Sequence, residues 1–111
     1  MALIYHLAIP KDWEQALESG EYAPASLQSE GFIHASVKEE LIPSARIHFL
    51  EHDSLVILVM AEKKVKHLLK WEPAREGKLF PHIYGKISLE RIENTYLMIR
   101  DKQGEWQWMK G

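Results

Sequence analysis

The 111-residue chain contains no cysteine. That absence removes disulfides, cysteine-ligated zinc, iron–sulfur clusters and thiol nucleophiles together. Long hydrophobic runs are also missing: nothing approaches the ~20 apolar residues that a membrane-spanning helix needs. The opening MALIYHLAIPKDW has no basic segment ahead of its apolar stretch, and His6 interrupts that stretch, so no signal peptide is expected. Charge of one sign is lacking too, since 14 Lys and Arg against 16 Asp and Glu leave a formal net charge of −2. Without a basic field, duplex DNA is not an expected partner. Repeats, linkers and low-complexity segments are absent. These absences point to a soluble cytoplasmic protein, a monomer or weak homodimer, with no membrane association.

What is present is ordinary globular composition, 46% hydrophobic and 27% charged. The length implies one domain over residues 1–111, burying roughly 65% of the extended chain's surface on folding. ALIYHLAI reads as a strand buried on both faces. In PKDWEQALESGEY, Asp12 and Gln15 have capping-box spacing, Trp13, Ala16 and Leu17 form an apolar stripe, and Gly20 suits a C-cap. A helix over 12–19 is expected. APASLQSEGFIHAS implies a brief extended segment, a turn at Ser29–Gly31 and then a strand through His34. Ser36 and Glu39 repeat the capping-box spacing and open a helix across VKEELIPSARIHFLEH, which Pro43 kinks or restarts.

SLVILVMA, residues 54–61, is the clearest strand. EKKVKHLLKWEPA offers helical turns followed by extended chain before Pro73, and the polar loop REGKLFP leads to a strand at HIYGKI. The C-terminal part reads as a β-hairpin turning at Lys102–Gly104, with Trp106 and Trp108 on one face. Core packing is the simpler role for that pair, ahead of stacking on a base. The element order predicts an α+β fold: a curved or split central β-sheet with two main helices, ending in a β-hairpin.

Two patterns carry chemistry. HFLEH, residues 48–52, matches the inverted zinc-peptidase pattern, with His48 and His52 four apart. The helix is expected to end at His52 or just after, and so short a chain leaves little room for a cleft and a third ligand, so no metal site is expected. The stronger pattern is a set of polar residues on strands. By alternation, His6 shares a face with Ile4 and Ala8, His34 with Phe32 and Ser36, and His82 with Tyr84. One cleft lined from three strands would bring imidazoles, a hydroxyl and a phenol together. Imidazole near neutral pH serves as base, acid or phosphate donor. Ser36 at a helix N-terminus would add free backbone donors for an anion. A lone strand histidine is more often a core residue bonded to a carbonyl, but three of them in a small domain would each need a partner. In LKWEP, Pro73 biases Glu72 toward extended geometry and turns Trp71 and Glu72 to opposite faces, one toward the core and one toward solvent or the cleft.

Taken in order, IYHL, a tryptophan-bearing helix, SL before EGFIHAS, an apolar strand, LKWEP and FPHIYG resemble the bacterial domain-of-unknown-function 952 family, over about residues 3–87. The family's pattern often has cysteine where Ala35 stands, which implies that this position needs a small side chain. The resemblance further implies a distant similarity to ADP-ribosyltransferase-like folds, whose members bind NAD or an ADP-ribosyl group in the cleft of a split sheet. In some of those relatives, RNA 2′-phosphotransferases included, a first-strand histidine contacts the nucleotide, and His6 occupies the matching place. The late catalytic glutamate of such enzymes has only Glu72 as a stand-in.

Three readings stay open at this point. The first is an enzyme acting on a nucleotide, NAD or ADP-ribosyl substrate. There His34 and Glu72 would be catalytic, and His6, Ser36, His82 and Tyr84 would bind the substrate, with NAD or a related nucleotide as the expected ligand. The second is a non-catalytic module that binds a nucleotide, metabolite or peptide in the same cleft. The third is a structural or interaction domain with core histidines.

Overall fold

A computed structural model describes residues 2–109. β4, Ser54–Ala61, is the centre of a four-stranded antiparallel sheet ordered β1-β4-β8-β9, with β1 at Leu3–Ala8, β8 at Ile92–Arg100 and β9 at Trp106–Met109. The unbroken apolar run of β4 follows from burial on both faces. Leu58 and Met60 join Ile4 and Ala8 of β1 in one core cluster, with Val56 packed against it, while Leu55, Ile57 and Val59 join Leu7, Met98 and Trp106 in the other. β1 is likewise divided, which puts His6 on the side of Ile4 and Ala8.

Each side is covered by a helix. α1, Pro10–Ser19, sends Ala16 and Trp13 into the first cluster. It begins with Pro10 at its first position, earlier than the expected start, so Asp12 lies inside the first turn rather than at the cap. Gly20 ends it at φ 87°, donating its N–H to the Ala16 carbonyl at 2.8 Å, a backbone shape that favours glycine. α3, Leu41–His48, places Leu41 and Ala45 in the second cluster.

The second sheet is antiparallel, ordered β3-β6-β5, from Ile33–His34, Leu79–Ile83 and Leu69–Pro73. It approaches the first through one bridge: Tyr5 donates its N–H to the Ser36 carbonyl at 2.9 Å, and Ser36 donates back to the Tyr5 carbonyl at 2.7 Å. A two-residue ladder joins β2, Glu21–Tyr22, to β7, Ile87–Ser88. The architecture of the described residues is therefore α+β with open antiparallel sheets and four α-helices, the others being α2 at Ala25–Glu30, in place of the expected extended segment and turn, and α4 at Glu62–Val65. No helix among the described residues is long and apolar enough to cross a membrane.

Several local expectations need correction. Ser36 caps no helix: a 3-10 turn occupies Lys38–Glu40, no side chain caps it, and α3 starts only at Leu41. Pro43 thus falls in the first turn of α3, where a missing N–H costs little. α3 stops at His48, so His48 and His52 do not share a helical face, and His52 packs edge-on to Phe49 at 5.8 Å instead. The strand expected at 82–87 is split, with β6 starting at Leu79 and β7 lying beyond a break at Tyr84–Lys86. Trp71 is not core: it is 40% exposed and donates its indole N–H to Glu62 at 3.0 Å. Trp106 and Trp108 both pack with the second cluster.

Candidate functional site

A cavity of about 590 Å³ opens where the β1 edge meets the three-stranded sheet, closed on other sides by α3 and by the stretch from Tyr22 to Glu30. Its wall is largely apolar, through residues such as Ile9, Pro24, Ile47 and Phe80, with a few convergent polar groups, the usual composition of a small-molecule site. His6, His34, Ser36 and His82 all line it; Glu72 and Tyr84 do not.

The pairing of β3 with β6 sets His34 directly across from His82, with ring centroids 5.5 Å apart. Each imidazole has its own carboxylate. His34 Nε2 lies 3.0 Å from Glu30, one helical turn back in sequence, and both side chains are about half exposed. His82 is buried, and its Nδ1 lies 2.8 Å from Glu72 Oε1. Tyr84 donates its hydroxyl to that same oxygen at 2.5 Å. The Tyr84 and His82 donors hold the Glu72 carboxyl below its ordinary range, and the same bond pushes the Tyr84 phenol up. Phe32 stacks on His82 at 4.2 Å and meets the edge of His34 at 4.8 Å. Lys70, the register partner of His82, sits 4.8 Å over the Tyr84 ring.

His6 is held differently. Its Nδ1–H donates to the His34 carbonyl, which can only accept, so the proton is assigned to Nδ1. Nε2 then accepts from the Tyr22 hydroxyl at 2.6 Å. Burial brings the His6 pKa down to about 4, against a smaller opposing effect of the His34 carbonyl. The Tyr22 phenol is pushed up, chiefly by burial and then by Asp12. His6 is thus a neutral ring with both nitrogens engaged, a brace between β2 and β3 rather than a free donor. Ser36 also departs from expectation: its amide is taken by the Tyr5 bridge, so it is no free anion donor.

Arg75 was not singled out in the sequence. A tight loop carries it, with Glu76 at φ 59° and Gly77 at φ 74°, the former a strained shape for a residue with a side chain. The loop brings the guanidinium 2.6 Å from Glu40 and 3.3 Å from the Ser44 hydroxyl, at the cavity wall. Arg75, and then Lys78, lower the Glu40 carboxyl. The basic stretch REGK was the only signal for this residue. Tyr22 and Glu30 had none, because their roles depend on contacts between distant segments.

Ala35 lines the cavity, is nearly buried, and donates its N–H to the Pro81 carbonyl at 3.1 Å. Ala35→Leu is expected to destabilise by about 1–3 kcal/mol through overpacking, whereas Ala35→Cys should be nearly neutral. Equilibrium unfolding in urea checks both; an equally stable leucine variant would show that the position has room to spare.

Solved structures of protein CC0527 from Caulobacter crescentus are similar along nearly the whole chain. The crystal structure has a TM-score of 0.87 at 29% identity, covering 96% of this chain and 94% of that one. The solution NMR structure has a TM-score of 0.80 at 29% identity, covering 95% and 91%. No curated protein matches the chain. The sequence profile of a family described as "Protein of unknown function (DUF952)" matches residues 7–95, a span holding both paired histidines and their carboxylates, and the chain belongs to that family.

Proposed function

We propose that the cavity binds a nucleotide-class ligand, NAD or an ADP-ribosyl compound among the candidates, and that His34 and His82 transfer protons on it. The observation that carries this reading is the pair itself: two imidazoles in register across β3 and β6, 5.5 Å apart, each beside a carboxylate, on the wall of one cavity. Such a pair divides acid–base work, one ring removing a proton from an attacking group while the other returns one to a leaving group. The largely apolar remainder of the wall suits a flat ring. An ADP-ribosyltransferase-like reaction rests on the family resemblance, with Glu72 now acting beside His82.

The test is a thermal-shift screen against NAD, ADP-ribose and nucleoside monophosphates, followed by product analysis. A ligand at 100 times its Kd is expected to stabilise by about 2.7 kcal/mol. His34→Ala and His82→Ala should each lower turnover by about 10²–10⁴. Absence of a shift with every probe would overturn the reading and leave the histidines structural. A second reading, binding without turnover, is favoured by the engagement of both His6 nitrogens and of Arg75 within the protein. Saturable binding with unchanged ligand would establish it.

A further inference from the structure

We infer that Glu72 is a positioning residue for His82, fixing the proton on Nδ1 so that Nε2 is the nitrogen offered to the cavity. This deepens the proton-transfer role proposed for His82 and gains functional meaning only if that role holds. The argument begins with the carboxylate, which in its ionised form can only accept, so the 2.8 Å contact places the hydrogen on His82 Nδ1. In a neutral ring the lone pair then falls on Nε2. His82 lines the cavity and Glu72 does not, so the ring edge away from Glu72 is the one that faces the cavity.

The two degrees of freedom of the ring are held by different neighbours. Phe32, stacked at 4.2 Å and 22° between planes, sets the ring plane. That contact is blind to a flip of the ring within its own plane, which would exchange the two edges. Glu72 distinguishes them. Its own position is defined by the β5–β6 register, which pairs Lys70 with His82 and Glu72 with Phe80, putting the carboxylate on the diagonal from His82. Tyr84 then holds the same oxygen at 2.5 Å, and Pro73 keeps the backbone extended at Glu72. The charged and titratable groups around His82 are thus Glu72 and Lys70 from β5, His34 from β3, and Tyr84.

The experiment is long-range ¹H–¹⁵N NMR of the histidine rings in the intact protein, which needs no ligand. In the wild type, neutral His82 is expected with its proton on Nδ1. Glu72→Gln keeps an accepting oxygen and should keep that tautomer. Glu72→Ala should release the tautomer to Nε2–H or a mixture. A purely structural glutamate would leave the tautomer unmoved in both variants. Wild-type His82 protonated on Nε2, or a Glu72→Ala spectrum like the wild type, would overturn the inference, and the wild-type tautomer carries the test by itself if the alanine variant does not fold. The assay of ligand binding fails or succeeds separately: a fixed tautomer with no bound nucleotide supports the positioning and sinks the proposed function, and a free tautomer with normal turnover does the reverse.

Discussion

Between pH 6.5 and 4 the unfolding free energy should fall by about 3 kcal/mol on account of His6 alone. The folded protein holds this ring neutral, with a pKa brought down to about 4 from the ordinary 6.5, so within that window the unfolded chain binds the additional proton. Stability therefore rises with pH across the window, is fully present above 6.5, and is lost as pH falls toward 4. The physical cause is desolvation: a charged ring buried at this site loses its hydration, which outweighs the His34 carbonyl contact that by itself favours the charged form, while the hydroxyl that Tyr22 donates to Nε2 suits the neutral ring. Carboxylates held low, at Glu40, Glu72 and Asp101, lose their contributions at lower pH, as each is protonated through its depressed pKa. Urea denaturation at a series of pH values, for the wild type and His6→Gln, isolates the histidine. The variant should be weaker at neutral pH and flatter across the window. Two curves with the same slope would show that His6 titrates normally.

Leu58→Ala is expected to cost about 2–5 kcal/mol, a large share of the ~5–15 kcal/mol that stabilises a domain. Leu58 is fully buried on the central strand and stands opposite His6 on β1 and Thr95 on β8. Its truncation leaves a void among Ile4, Met60, Ile33 and Ile83, residues contributed by both sheets, so little can collapse to fill it. Leu97→Ala, two strands from the β1 edge and 46% exposed, serves as the control and should change stability by at most about 0.5 kcal/mol. Chemical denaturation of the two variants checks both numbers. A Leu58→Ala loss as small as that of Leu97→Ala would mean that the two sheets do not share one packed interior.

Legibility in the sequence differed by element, for physical reasons. β4 could be bounded at Ser54–Ala61 because burial on both faces forbids any polar interruption. The α1 stripe, the Gly20 cap and the turn near Lys102–Gly104 were legible because propensity and local hydrogen bonds suffice to specify them. The Ser36–Glu39 spacing misled. Capping-box residues act only where the chain is free to start a helix, and the backbone at Ser36 is drawn into a bridge with Tyr5 instead. The expectation that one of Trp71 and Glu72 packs the core failed for a related reason, seen at Trp71. It lies on β5 at the open edge of the second sheet, where a large apolar ring can stay half exposed.

By itself the sequence determined the class of fold, the buried strands, the absence of thiol chemistry, and which polar residues share a face of each strand, since all of these depend on composition and on short-range periodicity. Only the tertiary structure decided how those faces meet. Register between β3 and β6 puts His34 beside His82, register between β5 and β6 brings Glu72 to His82, and the approach of β2 and β3 to β1 spends both nitrogens of His6 on the protein itself. Those pairings join residues tens of positions apart, and the energy that selects them comes from packing two sheets over shared cores, which no local pattern records.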